Sequence, residues 1–212
     1  MVLSLLTLLG IFKMGIAERK QRQKEGVKAA ILQAAWHMVE QEGWQALSLR
    51  KIADAIEYSV PVIYDHFENK EAILLEFTRK GFQLLNEQLK SAVAKETAPT
   101  RQLEAIAGAY WNFAFSHSEY YQLMYGLGMP SCETVRQIPE LGTFTDLLLQ
   151  TVRAIIGTGD NKEADPWLKL HTFWSMLHGL ISINMMGKEK KLDPIQQAVM
   201  HDFTQTFIQS LR

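Results

Sequence analysis

The stretch Ser48–Lys70, SLRKIADAIEYSVPVIYDHFENK, decides how the chain is read. Ile52, Ala53 and Ile56 recur at helical spacing behind Ser48, a residue suited to an N-cap, so a helix is expected over 49–56. Glu57-Tyr58-Ser59 makes a corner. Ser59 and Pro61 then supply an N-cap and a first helical turn for a second short helix ending near Phe67. Two helices joined by three or four residues place the second one in a DNA major groove, with its first turn against base edges. The objection is charge. The stretch carries Glu57, Asp65 and Glu68, and the whole chain has a net charge of −1 at pH 7, whereas DNA affinity depends on neutralising phosphates.

Upstream, the missing charge is present. Residues 13–28 hold Lys13, Arg19, Lys20, Arg22, Lys24 and Lys28 against Glu18 and Glu25, a local charge of +4. This basic arm beside the reading helix is expected to contact phosphates, the alternative being a solvated polar lead-in. Val27, Ile31, Ala34, Ala35, Met38 and Val39 form the apolar stripe of a first helix that stops near Gly43. The opening run MVLSLLTLLGIF is too short to span a bilayer and lacks the leading positive charges of a signal peptide. It reads as a start-site over-extension or an apolar tail, with a membrane anchor as the weaker alternative.

Downstream, Asn69 is placed to cap a long fourth helix carrying Ile73, Leu74, Phe77, Phe82, Leu85 and Leu89. Further helices are expected near 100–117, 119–126, 140–157, 165–187 and 194–211, separated by Gly126–Pro130, Gly157–Gly159 and Asp193-Pro194. The fold class is therefore all-α, with about nine helices. Hydrophobic content of 47% among 212 residues is enough for a buried core. The single cysteine, Cys132, excludes an internal disulfide and fits a reducing cytoplasm.

The stretch 28–77 resembles the DNA-binding domain of TetR-type transcriptional repressors. The resemblance rests on ILQAAW, on Gly43 before LSLRKIADAI, and on Ser59 followed by Ile63-Tyr64-x-His66-Phe67 and Lys70 within IYDHFENKEAIL. It implies phosphate contacts from Ser48 and Arg50 with Lys51 beside them, and base contacts around Ser59 from Val60, Pro61 and Val62. It also implies backbone contacts from Tyr64 and His66, and a phosphate clamp at Lys70. Two residues depart from the pattern. Glu57 stands where the family has a glycine suited to positive φ. Asp65 is repulsive to phosphate unless it meets a cytosine amino group, pairs with Lys51 or Arg50, or points into solvent. The division expected is 1–25 as an N-terminal extension with the basic arm, 26–75 as the helix–turn–helix domain, and 76–212 as an effector-binding and dimerisation domain.

In that last region, Trp174-Ser-Met-Leu-His178-Gly179 resembles the Trp-x-x-x-His-Gly signature of one C-terminal subfamily. The aromatic stretch AYWNFAFSHSEYYQLMYGLGMP is either plain core or the wall of an apolar effector pocket. Candidate lining residues are Tyr110, Phe113, His117, Tyr121, Met124, Phe144, Trp174 and His178. The helix over 165–187 is apolar on two sides and so needs two partners. Trp167, Leu170, Leu177 and Ile181, with Val199, Phe203 and Phe207 of the last helix, are candidates for a homodimer seam.

No metal is expected from His171 and His178, which lack further ligands, and no cofactor motif or catalytic triad is present. The partners expected are a double-stranded DNA operator, a second copy of the chain and a small, largely apolar effector, with no membrane. The leading reading is a ligand-responsive dimeric repressor acting on a palindromic operator. A helical ligand-binding protein or enzyme with a vestigial DNA-binding domain, and a protein-interaction module, remain as alternatives.

Overall fold

A computed structural model describes residues 3–125, 138–185 and 194–212, with no description of side chains before residue 15. Among these residues the chain is all-helical, with nine α-helices and one short 3₁₀ turn at Trp44–Ala46. The helices are α1 (Leu3–Glu42), α2 (Leu49–Ala55), α3 (Val60–Tyr64), α4 (Lys70–Val93), α5 (Pro99–Ser116), α6 (Ser118–Tyr125), α7 (Pro139–Thr158), α8 (Pro166–Met185) and α9 (Pro194–Leu211). The expected break at Gly126–Pro130, Cys132 and Asp193 lie outside the described residues. Two compact units divide the chain, Met1–Ile73 and Leu74–Arg212.

The first unit is built on α1, which starts well before the expected apolar stripe. Residues 15–26 of α1 are exposed throughout, so no core holds them. Local propensity accounts for the helix there, since Ala17 to Glu25 are strong helix formers and Gln21 donates to Glu25 at 2.8 Å across one turn. The basic arm is thus a solvent-exposed helical extension. From Ile31 onward, Ile31, Ala35 and Val39 bury against Trp44, Leu47, Ile52, Ala53, Ile63 and Phe67. Trp36 and Trp44 meet edge to face, with centroids 6.1 Å apart.

The second unit surrounds one continuous core. Phe82, Leu85 and Leu89 of α4 join Leu103, Tyr110 and Phe113 of α5, Leu148, Val152 and Ile155 of α7, Leu170, Phe173, Leu177 and Ile181 of α8, and Phe203, Phe207 and Leu211 of α9. The tail is pinned by backbone. The N–H groups of Asp160 and Asn161 donate to the Arg212 carbonyl at 2.5 and 2.6 Å. A Cβ at Gly159 would lie 2.5 Å from Arg212 Cα, so only glycine permits that approach.

Candidate nucleic-acid interface and effector-binding core

The reading element is assembled from caps and a strained corner. Ser48 and Ser59 occupy extended N-cap positions, although neither hydroxyl closes a cap bond. Pro61 sits in the first turn of α3, as expected. The helix is shorter than the sequence suggested: it stops at Tyr64, with Asp65 as C-cap, and Phe67 closes onto the Ile63 carbonyl at 2.9 Å. Ile63 and Phe67 are the buried anchors of this element. Asn69 caps α4 directly, its Oδ1 accepting from the Ala72 N–H at 2.8 Å. At the corner Glu57 has φ 59°, the one positive-φ residue other than glycine among the described residues. A side chain there costs about 1–2 kcal/mol, and it marks where the glycine expected in this family is missing.

The candidate DNA contacts fall on one accessible stretch. Arg50, Ser59, Pro61 and Tyr64 are exposed, whereas Ser48, Val60, Val62, His66 and Lys70 are half-buried. Tyr64 keeps 54% of its surface in solvent. Lys51 is engaged elsewhere. Its Nζ lies 2.9 Å from Glu42 Oε2 at the end of α1, so Asp65 does not pair with it and remains a solvated C-cap. Lys28, counted with the basic arm, stands over the Phe67 ring at 5.5 Å. Part of the arm's charge therefore lies directly beside the end of the helix–turn–helix.

In the second unit Tyr110, Tyr121, Phe144, Trp174 and His178 of the candidate effector residues come together as a polar cluster among aromatic rings. Tyr110, Phe113, Tyr121, Met124 and Phe144 are buried, with Trp174 and His178 half-buried. The Trp174 Nε1–H donates to the Tyr110 hydroxyl at 2.9 Å. That hydroxyl lies 3.1 Å from His178 Nε2, and the Tyr121 hydroxyl lies 2.5 Å from Nδ1. Burial lowers the His178 pKa from 6.5 to about 4, so the ring is neutral near pH 7 and has one donor and one acceptor nitrogen. Each ring nitrogen faces one tyrosine hydroxyl, so in either tautomer one hydroxyl donates to the ring and the other accepts from it. Burial pushes the Tyr110, Tyr121 and Tyr125 hydroxyls well above their ordinary value. All three stay protonated near pH 7.

His117 stands apart from this cluster. Its Nε2 meets Gln88 Nε2 at 3.1 Å, beside an open groove of about 620 Å³ between α4 and α5. The sequence reading omitted Tyr125, whose ring stands 4.3 Å from His178 and 6.0 Å from Trp174. Its place one helical turn after Tyr121 was the available signal.

The expected dimer seam needs correction. Leu170, Leu177, Ile181, Phe203 and Phe207 are buried within the chain's own core and leave no surface for a partner. The reason is that α8 packs at once on α5, α7 and α9, so the stripe assigned to a second chain is consumed internally. Trp167 and Val199 do remain exposed, together with Met176, Ile183 and Ile195, apolar positions of the same two helices, and Leu168, which the sequence reading did not name.

Among the described residues, no helix is long and apolar enough to cross a membrane, and no group of three His, Cys, Asp or Glu side chains is placed to hold a metal ion.

A helix–turn–helix followed by a helical domain with a buried polar cluster defines a class of regulator, and comparison with known proteins identifies it. Residues 31–77 match the model for bacterial regulatory proteins of the tetR family, and residues 103–204 match that for the tetracyclin repressor-like C-terminal domain. The chain belongs to the TetR family of transcriptional regulators. It is 28% identical over 92 residues to the uncharacterized HTH-type transcriptional regulator YobS of Bacillus subtilis, a match covering 43% of this chain and 48% of YobS. The chain thus aligns with about half the length of that relative. Among solved structures, a Rhodococcus protein with unknown function superposes with a TM-score of 0.71 at 26% identity, covering 86% of this chain and 94% of that one. FadR from Bacillus subtilis, solved in complex with stearoyl-CoA, superposes with a TM-score of 0.64 at 17% identity, covering 86% and 96% of the two chains. That second likeness is one of fold.

Proposed function

We propose that the protein is a dimeric repressor that binds a palindromic operator and is released by a small effector with a largely apolar body. The observation that carries this reading is the pairing of an accessible α2–α3 face, with Tyr64 and Arg50 outward, with a separate aromatic core that holds its own hydrogen-bonded hydroxyls and imidazole. Residues 26–75 read DNA and 76–212 respond to the effector. Val60, Pro61 and Val62 offer apolar contacts suited to thymine methyl groups and DNA shape, while Arg50, Lys70 and the helical basic arm hold phosphates.

The apolar face left outside by α8 and α9 is the dimer seam. On α8, Leu168, Met176 and Ile183 recur at helical spacing with only Thr172, Ser175 and Gly179 between them on that face, and α9 adds Ile195 and Val199. A two-fold pair places two α3 helices about one DNA turn apart. Effector binding favours a conformer whose α3 spacing fits the operator poorly, so DNA affinity falls by the coupling energy. The stearoyl-CoA bound by FadR supports an apolar effector as compatible with this fold.

The test is fluorescence anisotropy with DNA from upstream of the protein's own gene, in rising salt. Selective binding is expected. Joint Arg50→Ala and Lys70→Ala substitution weakens it at every sequence and makes the salt slope shallower by about 0.9 per lost phosphate contact. Equal affinity for upstream and scrambled DNA overturns the reading.

A further inference from the structure

The helix–turn–helix is short of positive charge for a surface that meets phosphates. From Ser48 to Lys70 the acidic residues Asp54, Glu57, Asp65 and Glu68 outnumber the basic residues Arg50, Lys51 and Lys70, and Lys51 is held by Glu42. Val60, Pro61 and Val62 carry no side-chain donor. The same stretch does display two tyrosines, Tyr58 in the corner, 46% exposed, and Tyr64 at the end of α3. The family resemblance implies a DNA-backbone contact for Tyr64, whereas Tyr58 is so far without a role. Among the described residues neither side chain meets a hydrogen-bond partner or another ring.

The backbone that presents Tyr58 is fixed. Its N–H donates to the Ala53 carbonyl of α2 at 3.0 Å, the Glu57 N–H to the Asp54 carbonyl at 3.3 Å, and the Val62 N–H to the Ser59 carbonyl at 3.0 Å. Ser59 is extended as the N-cap of α3. Tyr58 therefore stands two residues ahead of Val60, no more than about 7 Å from it between Cα atoms. Tyr64 lies about 6 Å further along the α3 axis. The two residues bracket the reading turn over a distance comparable with the roughly 12 Å width of a major groove. Single exposed aromatics are ordinary, but these two stand at either end of the element that enters the groove. Tyrosine hydroxyls are among the neutral groups that hold DNA phosphates.

We infer that Tyr58 is a second phosphate-holding tyrosine, its hydroxyl donating to a phosphate oxygen on one wall of the groove as Tyr64 does on the other. The inference rests on the reading of residues 26–75 as DNA-binding and deepens it. Part of the grip on DNA is then carried by neutral hydroxyls, which release no counterions, in contrast to Arg50, Lys70 and the basic arm. Tyr58 fixes where α3 sits in the groove and carries no sequence information of its own.

The test uses the full chain and fluorescence anisotropy on two duplexes over a series of salt concentrations: DNA from upstream of the protein's own gene, and a scrambled duplex of the same composition. Tyr58→Phe keeps the ring and removes only the hydroxyl. It is expected to weaken binding about tenfold on both duplexes, with the salt slope and the denaturation midpoint of the wild type. Tyr58→Arg puts a charged donor at the same place, so it recovers binding at low salt and steepens the slope by about 0.9 for each phosphate regained. Unchanged affinity of Tyr58→Phe overturns the inference. So does a loss confined to the upstream duplex, the mark of a hydroxyl that reads a base, or a loss with a lowered denaturation midpoint, the mark of a side chain that supports the corner. Tyr58→Arg that binds no better than Tyr58→Phe at low salt overturns it as well. The wild type alone reports on the regulator reading. Equal wild-type affinity for the two duplexes defeats only that reading, since a tenfold loss in Tyr58→Phe on both still upholds the contact. Selective wild-type binding with no effect of Tyr58→Phe defeats only the inference, and a wild type that binds neither duplex defeats both.

Discussion

The two units of this chain handle polar groups in opposite ways. Up to Ile73, the side chains assigned to DNA stand on the surface or half-exposed, and the buried set from Ile31 to Ile73 is hydrophobic. Among the described residues every buried polar one, namely Thr78, Asn86, Thr151 and Thr204, belongs to the second unit, as does the Tyr110–Tyr121–His178 cluster. The difference follows from what each has to do. A DNA reader presents donors and apolar contacts outward on a rigid scaffold, whereas an effector domain places polar groups where water is excluded and a hydrogen bond discriminates strongly. Surface polar groups cost little to keep. Buried ones must be matched, as the Tyr110 and Tyr121 hydroxyls are by His178.

The comparison breaks most visibly if the second unit also works through its surface. Met176→Glu combined with Ile183→Glu puts two charges on the exposed face of α8. The chain is expected to become monomeric by sedimentation and to lose operator affinity by about 10²–10⁴-fold, since the second half-site is no longer bound intramolecularly. A variant that sediments as before would place the seam elsewhere.

The buried character of the His178 cluster is open to a pH measurement. The folded ring titrates near 4 and the unfolded one at the ordinary 6.5. Stability from this group is therefore full above pH 6.5 and is lost as pH falls from 6.5 towards 4, by a total on the order of 3 kcal/mol. Denaturation midpoints of the wild type and of His178→Gln, compared across that window, isolate the term from other titrating groups. If the two profiles run parallel, the imidazole is not buried as a neutral partner of the tyrosines.

Packing between α4 and α6 gives a smaller and more local test. A Cβ at Gly81 would lie 2.5 Å from Met124 Sδ, on the helix that also carries Tyr121. Because the end of a methionine side chain is adaptable, Gly81→Ala is expected to cost about 1–2 kcal/mol and not to unfold the chain. The same substitution in a Met124→Ala background should cost measurably less, and the double-mutant cycle reads the coupling. An additive pair would show that α4 and α6 are not keyed together at this point.

How much of this was legible in the sequence divides along the same line as the two units. The α2–corner–α3 pattern, the Asn69 cap and the anchors Ile63 and Phe67 follow from local rules, because turn chemistry and helical period act over a few residues. Most helices of the second unit were legible to within a residue or two for the same reason. The seam was not. Leu170, Leu177 and Ile181 repeat at helical spacing whether they face another chain or α5, α7 and α9, and periodicity does not tell these apart. The exposed start of α1 was missed for the reverse reason: it has no apolar stripe, and only the propensity of residues 17–25 signals it. The Asn86–Glu140 contact joins residues 54 apart, and no local rule brings such a pair together.

The smallest expected effect returns to the corner between α2 and α3. Glu57 holds φ 59° with a side chain, a conformation glycine adopts without steric penalty. Glu57→Gly relieves that strain but adds backbone freedom to the unfolded chain, so the net gain is about 0.5–1 kcal/mol in a denaturant titration. The substitution also removes an exposed negative charge near the proposed DNA face, which by itself raises affinity for every sequence. Glu57→Gln separates the two effects, because it removes the charge and keeps the strained backbone. Glu57→Gln is therefore expected to tighten DNA binding about as much as Glu57→Gly while leaving stability unchanged. If Gln stabilises the chain as much as Gly does, the cost at this position is electrostatic, and the corner departs from its family in charge alone.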